Sequence, residues 1–368
     1  MSVDRLQRLQ VCLKEAGCEG IAVNAGPSLN YLTGLHFHLM ERPVVMLFPA
    51  AGEPAVILPK LEEKKLENMA YSTKIFTYGE DPAEWSSVFQ NAMKEMAFPS
   101  QKIGVEPRQL RLLEYNYLRF EENDVECIDG SAIITALRSI KDEEEIRCMR
   151  KAVKIAENAL EATLAITRIG VSEKEIASEL FLQLIRGGSE TSLPFSPIVA
   201  SGPNGANPHS TPSSRKLSSG DLLIIDWGAR YSGYVSDLTR TFGVGEIDSE
   251  VEKIHKTVQR ANAAGRAAGR PGVPCSSVDQ AARKCIDDAG FGEFFTHRTG
   301  HGIGMECHEE PYIREGNEQL LEVGMAYTVE PGIYLAGRNG VRIEDDVIVT
   351  ADGSESLSTM DRGIRYIE

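Results

Sequence analysis

The sequence predicts an α/β domain over residues 1–135, followed by an α+β domain over residues 136–368. Two patterns and the chain length point to this. Over residues 1–130, short apolar runs alternate with amphipathic stretches, as a sheet layered with helices requires. Farther on, long amphipathic stretches group apart from two strand-rich stretches, 221–244 and 326–350, which is the order of an α+β domain. A chain of 368 residues is also longer than one core usually serves.

In the first domain, Leu6, Leu9 and Leu13 share one helical face over residues 4–16, and Gly17 stops the helix. Ile21-Ala22-Val23 reads as a short strand. Val44 to Phe48 and Ala55 to Leu58 flank Ala-Ala-Gly-Glu-Pro and read as a hairpin. Helical stretches near 60–68, 84–96 and 108–121 alternate with strands near 72–77, 102–105 and 124–128. Residues 131–167 are mostly helical. There the run Asp142-Glu143-Glu144-Glu145 sits at a helix start, where acids favour the dipole. Ile146, Met149, Val153, Ala156 and Leu160 form the apolar stripe behind it. Ser172 and Glu175 have capping-box spacing and open a helix to about residue 186. Residues 251–268 and 275–289 also read as helices. No solenoid period and no low-complexity segment interrupts the chain.

Charge narrows the function. Lys and Arg number 39 against 54 Asp and Glu, a net charge of −15. Such an acid excess argues against nucleic acid and against an anionic membrane surface, both of which need concentrated positive charge. No run of roughly 18 apolar residues predicts a membrane span, and no signal h-region is expected. The seven cysteines are odd in number and lack C-x-x-C, so they read as reduced thiols of a cytoplasmic protein, each a small buried hydrophobe. Phosphate-loop, serine-hydrolase and zincin motifs are absent; Tyr312 stands where H-E-x-x-H would need its second histidine.

Two spacings of acids carry chemistry. Leu222-Leu223-Ile224-Ile225 is strongly apolar and runs into Asp226; Asp237 follows eleven residues later. A hairpin turning near Tyr231-Ser232 sets the two acids directly opposite each other, on one face of the sheet. The arrangement recurs where Glu330 and Glu344 flank a hairpin centred on Gly337, with Asn339-Gly340 as further turn residues. Surface strands with solvated acids would be the bland explanation. The apolar neighbours Ile224, Ile225, Val329 and Ile343 argue for burial instead, and buried acids need partners.

Histidine usage sharpens the case. His297, His301 and His308 fall within twelve residues, and His209 closes a loop rich in Gly and Pro that begins at Gly202. Gly300 and Gly302 are expected to let the backbone beside His301 approach a ligand or ion. Histidines beside four aligned carboxylates fit a metal site better than chance. Four acids balance two divalent ions, and an oxygen-rich site with one imidazole suits Mn²⁺, Co²⁺ or Zn²⁺. Paired ions about 3.5–4 Å apart generate hydroxide at neutral pH.

At these positions the sequence resembles the pita-bread metallopeptidases, the family of methionine aminopeptidase, aminopeptidase P and prolidase. The ligand order Asp, Asp, His, Glu, Glu matches. So do the strings I-D-W-G, S-D-L-T-R, G-H-G-I-G, E-P-G-I-Y and V-R-I-E-D, over most of residues 140–368. In the first domain, Asn30-Tyr31-Leu32-Thr33-Gly34 resembles the creatinase/prolidase N-terminal domain and moves the likeness toward Xaa-Pro peptidases. The resemblance implies a pita-bread second domain holding two divalent ions, Mn²⁺ ahead of Co²⁺ and Zn²⁺, on Asp226, Asp237, His301, Glu330 and Glu344. Asp237 and Glu344 would bridge both ions, Asp226 would bind one, and His301 and Glu330 the other. His209 and His308 would stabilise the tetrahedral intermediate, with Glu330 relaying a proton. His297 and Arg342 would be substrate-side groups, and Phe195 a wall of the proline pocket, with Tyr231 and Tyr334 as further candidates.

An Xaa-Pro bond lacks the N–H that ordinary proteases grip. The expected partner is a small peptide with proline at its second position, cut by a hydroxide shared between the metals. A homodimer is implied by the resemblance alone. The compact first domain favours an Xaa-Pro dipeptidase. Aminopeptidase P, acting on longer peptides, is the alternative; a basic residue binding a free carboxylate would favour dipeptides. A creatinase-like amidinohydrolase or a non-catalytic peptide-binding module on the same fold would show substituted ligands, and all five are intact.

Overall fold

The computed structural model describes residues 2–98, 102–120 and 125–368. The chain divides into two compact units, one ending at Arg138 and one beginning at Ser139. The division follows helix α5, Ser131–Arg138, so residue 135 lies inside that helix.

The first unit is built on a six-stranded sheet. Its strands are β1 (Gly20–Asn24), β2 (Val45–Pro49), β3 (Ala55–Pro59), β4 (Lys74–Tyr78), β5 (Lys102–Val105) and β6 (Glu126–Asp129), in the order β4-β3-β2-β1-β5-β6. β2 runs antiparallel to both neighbours, and every other pair is parallel. Every residue of β1, β2 and β3 is buried, which is what unbroken apolar runs require of strands covered on both faces. Helix α1 (Ser2–Glu15) buries Leu9 and Leu13, and helix α2 (Pro27–Thr33) buries Leu29 and Leu32. Helix α3 (Pro82–Met96) is capped by Asp81, which accepts the Ala83 N–H at 3.0 Å, and it packs Trp85, Phe89 and Met93 against Leu47 and Ile57. Residues 60–68 form a 3-10 helix with no buried side chain, so no packed face enforces α-helical winding. Helix α4 is confined to Leu112–Leu118. Residues 121 and 124, which end one expected stretch and begin another, lie outside the described residues.

The second unit carries α6 (Glu143–Leu164), α7 (Glu173–Arg186), α8 (Ser249–Ala268) and α9 (Cys275–Asp287). The acidic run before α6 is structural. Asp142 and Glu145 exchange side-chain and backbone hydrogen bonds at 2.9 and 2.8 Å, and Ser172 and Glu175 close the same capping box on α7. Among the described residues no helix is long and apolar enough to cross a membrane.

Two hairpins position the acids. In the first, β8 (Leu222–Trp227) pairs with β11 (Leu238–Val244), and β7 (Ile198–Ser201), a strand the sequence did not suggest, covers its other edge. Thr239, not Asp237, stands opposite Asp226. The turn is Ser232-Gly233, between β9 (Arg230–Tyr231) and β10 (Tyr234–Val235), with φ of +50° and +81°, a two-residue connection of the kind that matches strand twist. Its centre lies one residue beyond the expected one. Asp237 therefore sits one position before β11 as a diagonal neighbour of Asp226.

In the second hairpin, Val329 faces Asp345 and Gly332 faces Arg342 across two ladders in the same register. Glu330 and Glu344 are opposite one another in the gap between those ladders, as expected, and Gly337 turns with φ +73°. A bridge between Thr239 and Glu344 stitches the hairpins together.

Behind the bridge lies a charged knot. Asp345 is fully buried and is held by Arg240 at 2.8 Å, Arg362 at 2.8 Å and Asn262 at 3.1 Å. Arg240 also donates to the carbonyls of Thr239 (2.8 Å) and Glu344 (2.7 Å). Asp345→Ala strands these guanidinium groups and should cost about 3–5 kcal/mol, read as a lower thermal unfolding midpoint. Glu355→Ala, which breaks only the exposed pair with Arg150, should cost under about 1 kcal/mol in the same measurement.

Candidate metal centre

One cavity of about 870 Å³ gathers nearly all of the expected site. Asp226, Asp237, His301, Glu330, Glu344, His209, His308, His297, Arg342 and Phe195 all line it. Tyr231 is not among the lining residues; Tyr334 is buried behind them.

Each acid is placed by a different part of the frame. Asp226 ends the apolar run of β8, and its Oδ2 accepts Arg342 Nη2 at 2.5 Å. Its Oδ1, among the described residues, is buried with no hydrogen-bond partner. The Asp237 N–H donates to Asp346 Oδ2 at 3.1 Å. Glu344 accepts the Thr239 hydroxyl at 2.7 Å. Glu330 is fixed by its N–H, which donates to the Thr299 carbonyl at 2.7 Å.

His301 follows from the strand Gly300–Gly302. Its Nδ1 faces the Gly302 carbonyl at 3.1 Å, an acceptor only, so Nδ1 carries the proton. Nε2 then presents a lone pair to Glu330 Oε1 at 3.4 Å and to Asp237 Oδ2 at 3.8 Å. Acceptors facing acceptors are unfavourable unless a cation or a proton lies between them. Burial and the neighbouring His308 hold the His301 imidazole well below its ordinary pKa, in the neutral form that binds metals.

The acids are raised in the opposite direction. Burial, then Asp226 and Asp346, lifts Asp237 well above the usual carboxylate range, and burial, then Asp237 and Glu330, does the same to Glu344. Burial pushes Glu330 up to about 8. The site has acids in excess of nearby positive charge.

Two expected substrate-side groups line the cavity and also bond within the protein. Arg342 directs Nη1 to the Tyr334 hydroxyl (2.9 Å) and the Pro208 carbonyl (3.3 Å), Nε to Thr239 (3.2 Å) and Nη2 to Asp226. It orients Asp226 and pins the loop before His209. His297 Nδ1 faces the Arg298 carbonyl at 2.7 Å, so Nε2 accepts from Tyr334 at 2.9 Å. Burial lowers His297 to about 4.

The glycines beside His301 also serve another purpose. A Cβ on Gly300 would meet the Thr328 carbonyl at 1.8 Å and one on Gly302 the Glu310 carbonyl at 2.2 Å, so they admit neighbouring backbone and not a ligand. His209 and His308 are the exposed histidines of the cavity, and the His308 ring lies 4.2 Å from that of His301.

Sequence reasoning missed several groups. Thr239, Asp345, Asp346 and Arg240 support the acids from positions about a hundred residues apart, beyond the reach of local pattern. Arg298 lines the cavity and stacks on Tyr312 at 4.3 Å. Cys307, expected to be an inert hydrophobe, lines the cavity and donates its thiol hydrogen to Asp237 Oδ2 at 2.9 Å. Its short spacing from His308 was the available signal.

A divalent ion fits these residues. Ligand atoms of Asp237, His301 and Glu344 lie within 4.8 Å of one another. A cation would satisfy both the orphaned Asp226 oxygen and the His301 lone pair, and carboxylates with imidazole suit a hard-to-borderline one.

Residues 5–140 match the creatinase/prolidase N-terminal domain and residues 147–351 match metallopeptidase family M24. An Xaa-Pro dipeptidase of Lactobacillus delbrueckii subsp. lactis is 34% identical over 366 residues, 98% of each chain. Among solved structures, a prolidase of Thermococcus sibiricus superposes with a TM-score of 0.92 at 35% identity, covering 100% of this chain and 99% of that one. An X-Pro aminopeptidase of Thermotoga maritima gives 0.86 at 30% identity, covering 98% and 99%. With its pita-bread catalytic unit and creatinase-type N-terminal unit, the chain belongs to metallopeptidase family M24.

Proposed function

We propose that this metallopeptidase hydrolyses Xaa-Pro dipeptides, using two divalent ions held by Asp226, Asp237, His301, Glu330 and Glu344. The observation that carries the reading is the His301 lone pair aimed at two carboxylate oxygens, inside a buried acid cluster. Bound divalent ions supply an activated water at neutral pH and a Lewis acid toward a carbonyl oxygen. Mn²⁺ is the favoured ion, with Co²⁺ and Zn²⁺ as alternatives on the same donor set.

The chain's own groups do the rest. Glu330, on the cavity wall, takes up the proton that hydrolysis releases and returns it to the leaving proline nitrogen. His209 and His308, exposed in the cavity, donate to the developing oxyanion. Arg342 and His297 act as positioning residues, one for Asp226 and the other through Tyr334. Phe195 walls the proline side.

Arg298 favours dipeptides. Arg298 lines the cavity, and its guanidinium stacks on the Tyr312 ring. A cation so placed receives the terminal carboxylate that a dipeptide has and a longer peptide lacks at that position. Family likeness supports a homodimer, and the cysteine pattern supports a cytoplasmic location.

Three outcomes test this. Ala-Pro is cleaved with Mn²⁺, Co²⁺ or Zn²⁺ supplied and Ala-Pro-Ala is not; cleavage of the tripeptide alone makes the chain an aminopeptidase P. Asp237→Asn lowers turnover at least about a hundredfold while circular dichroism stays native. Arg298→Met raises KM for Ala-Pro about ten- to a hundredfold; an unchanged KM removes the carboxylate contact.

Metal removal has a signed pH dependence. A folded-state carboxyl raised to about 8 binds more protons than its unfolded counterpart, so it withdraws stability as pH rises. The melting temperature of the metal-free protein should fall between about pH 5 and about pH 8. Saturating Mn²⁺ should abolish the fall, since ligands must be deprotonated to bind. Parallel melting curves with and without metal would contradict this.

A further inference from the structure

Cys307 is the one of seven cysteines that lines the cavity, and its sulfur touches the acid cluster. Sγ lies 2.9 Å from Asp237 Oδ2, the same oxygen that is 3.8 Å from His301 Nε2. It thus borders the Asp237, His301 and Glu344 group, whose ligand atoms fall within 4.8 Å of one another. An independent feature of the cavity also calls for a cation: Asp226 is 7% exposed, and its Oδ1 has no hydrogen-bond partner among the described residues. The segment that presents the thiol is pinned. Glu309 Oε1 accepts the N–H groups of Met305 (2.9 Å) and Glu306 (3.0 Å), and Oε2 pairs with buried Lys141 at 3.2 Å.

We propose that Cys307 is a sulfur ligand for a divalent ion in this cavity, beside Asp237 and His301. The assignment rests on the metal centre of the proposed function and deepens it. Sulfur is a soft donor among hard carboxylates, so it moves the centre's preference toward Zn²⁺, Co²⁺ and Cd²⁺ relative to Mn²⁺. On binding, the S–H proton would leave to solvent and the thiolate sulfur would donate a lone pair to the ion. Asp237 Oδ2 then exchanges a hydrogen-bond donor for the ion.

The test is a Co²⁺ titration of the full chain followed by absorption spectroscopy. Sulfur-bound Co²⁺ gives a near-ultraviolet charge-transfer band in addition to the visible bands of the ion. The band should grow with uptake in the native protein and vanish in Cys307→Ser, whose visible bands persist. In competition, the same variant should lose at least about tenfold of its Cd²⁺ affinity relative to Mn²⁺. Cobalt uptake without the band overturns the sulfur ligand and leaves the metal centre standing. Survival of the band in Cys307→Ser also overturns it. No uptake at all overturns the centre, and this assignment with it. If the variant does not fold, cadmium NMR of the native protein decides. A resonance in the downfield range of sulfur-bearing sites supports the ligand, and one in the oxygen and nitrogen range overturns it.

Discussion

Mutual repulsion of carboxylates confined to one cavity is the constraint that organises the second unit. Asp226, Asp237 and Glu344 are buried, and Glu330 joins them at the rim. Among the described residues a single guanidinium, Arg342, pairs directly with the side chains of this group, and of the four acids it reaches Asp226 alone. One positive charge cannot balance four negative ones out of water. The remaining charge must be met by protons or by cations, and the neutral imidazole of His301 favours cations.

The frame keeps the acids together through pairing and not through neutralisation. Two hairpins bring two acids each, and the Thr239–Glu344 bridge aligns the hairpins. The positive charge that is available goes one layer back, where Arg240 and Arg362 surround Asp345 and Arg240 anchors the backbone of Glu344. A second chain of contacts runs from Asp226 through Arg342 and the Tyr334 hydroxyl to His297. Gly340 lets it close: a Cβ there would meet the Gly205 carbonyl at 1.9 Å and push away the loop that carries His209.

How much of this was readable follows from how local each feature is. The helix starts at Asp142 and Ser172 were readable because a capping box is written within four residues. The second hairpin was readable in register, since Gly337 and Asn339-Gly340 mark its turn. The first was misplaced because Ser232 adopts positive φ without the Asn-Gly or Asp-Gly signal that normally announces such a turn. The five proposed ligands were legible as a pattern of acids and histidines. Asp345, Asp346, Arg240 and Cys307 were not, because what defines them is a partner dozens to about a hundred residues away. The glycines around His301 were noticed for the wrong reason: only the fold shows that backbone, and not a ligand, fills the space they leave.

The stitch between Thr239 and Glu344 has a consequence for biosynthesis. The two acids of the first hairpin leave the ribosome about a hundred residues before those of the second. Emerging chains fold from the N-terminus onward at roughly 5–20 residues per second. For several seconds the nascent protein therefore exposes half a charge cluster with no opposing half. A cage drawn from both hairpins is complete only after residue 344 is out, so an ion that needs all four acids would bind only once the second hairpin has formed.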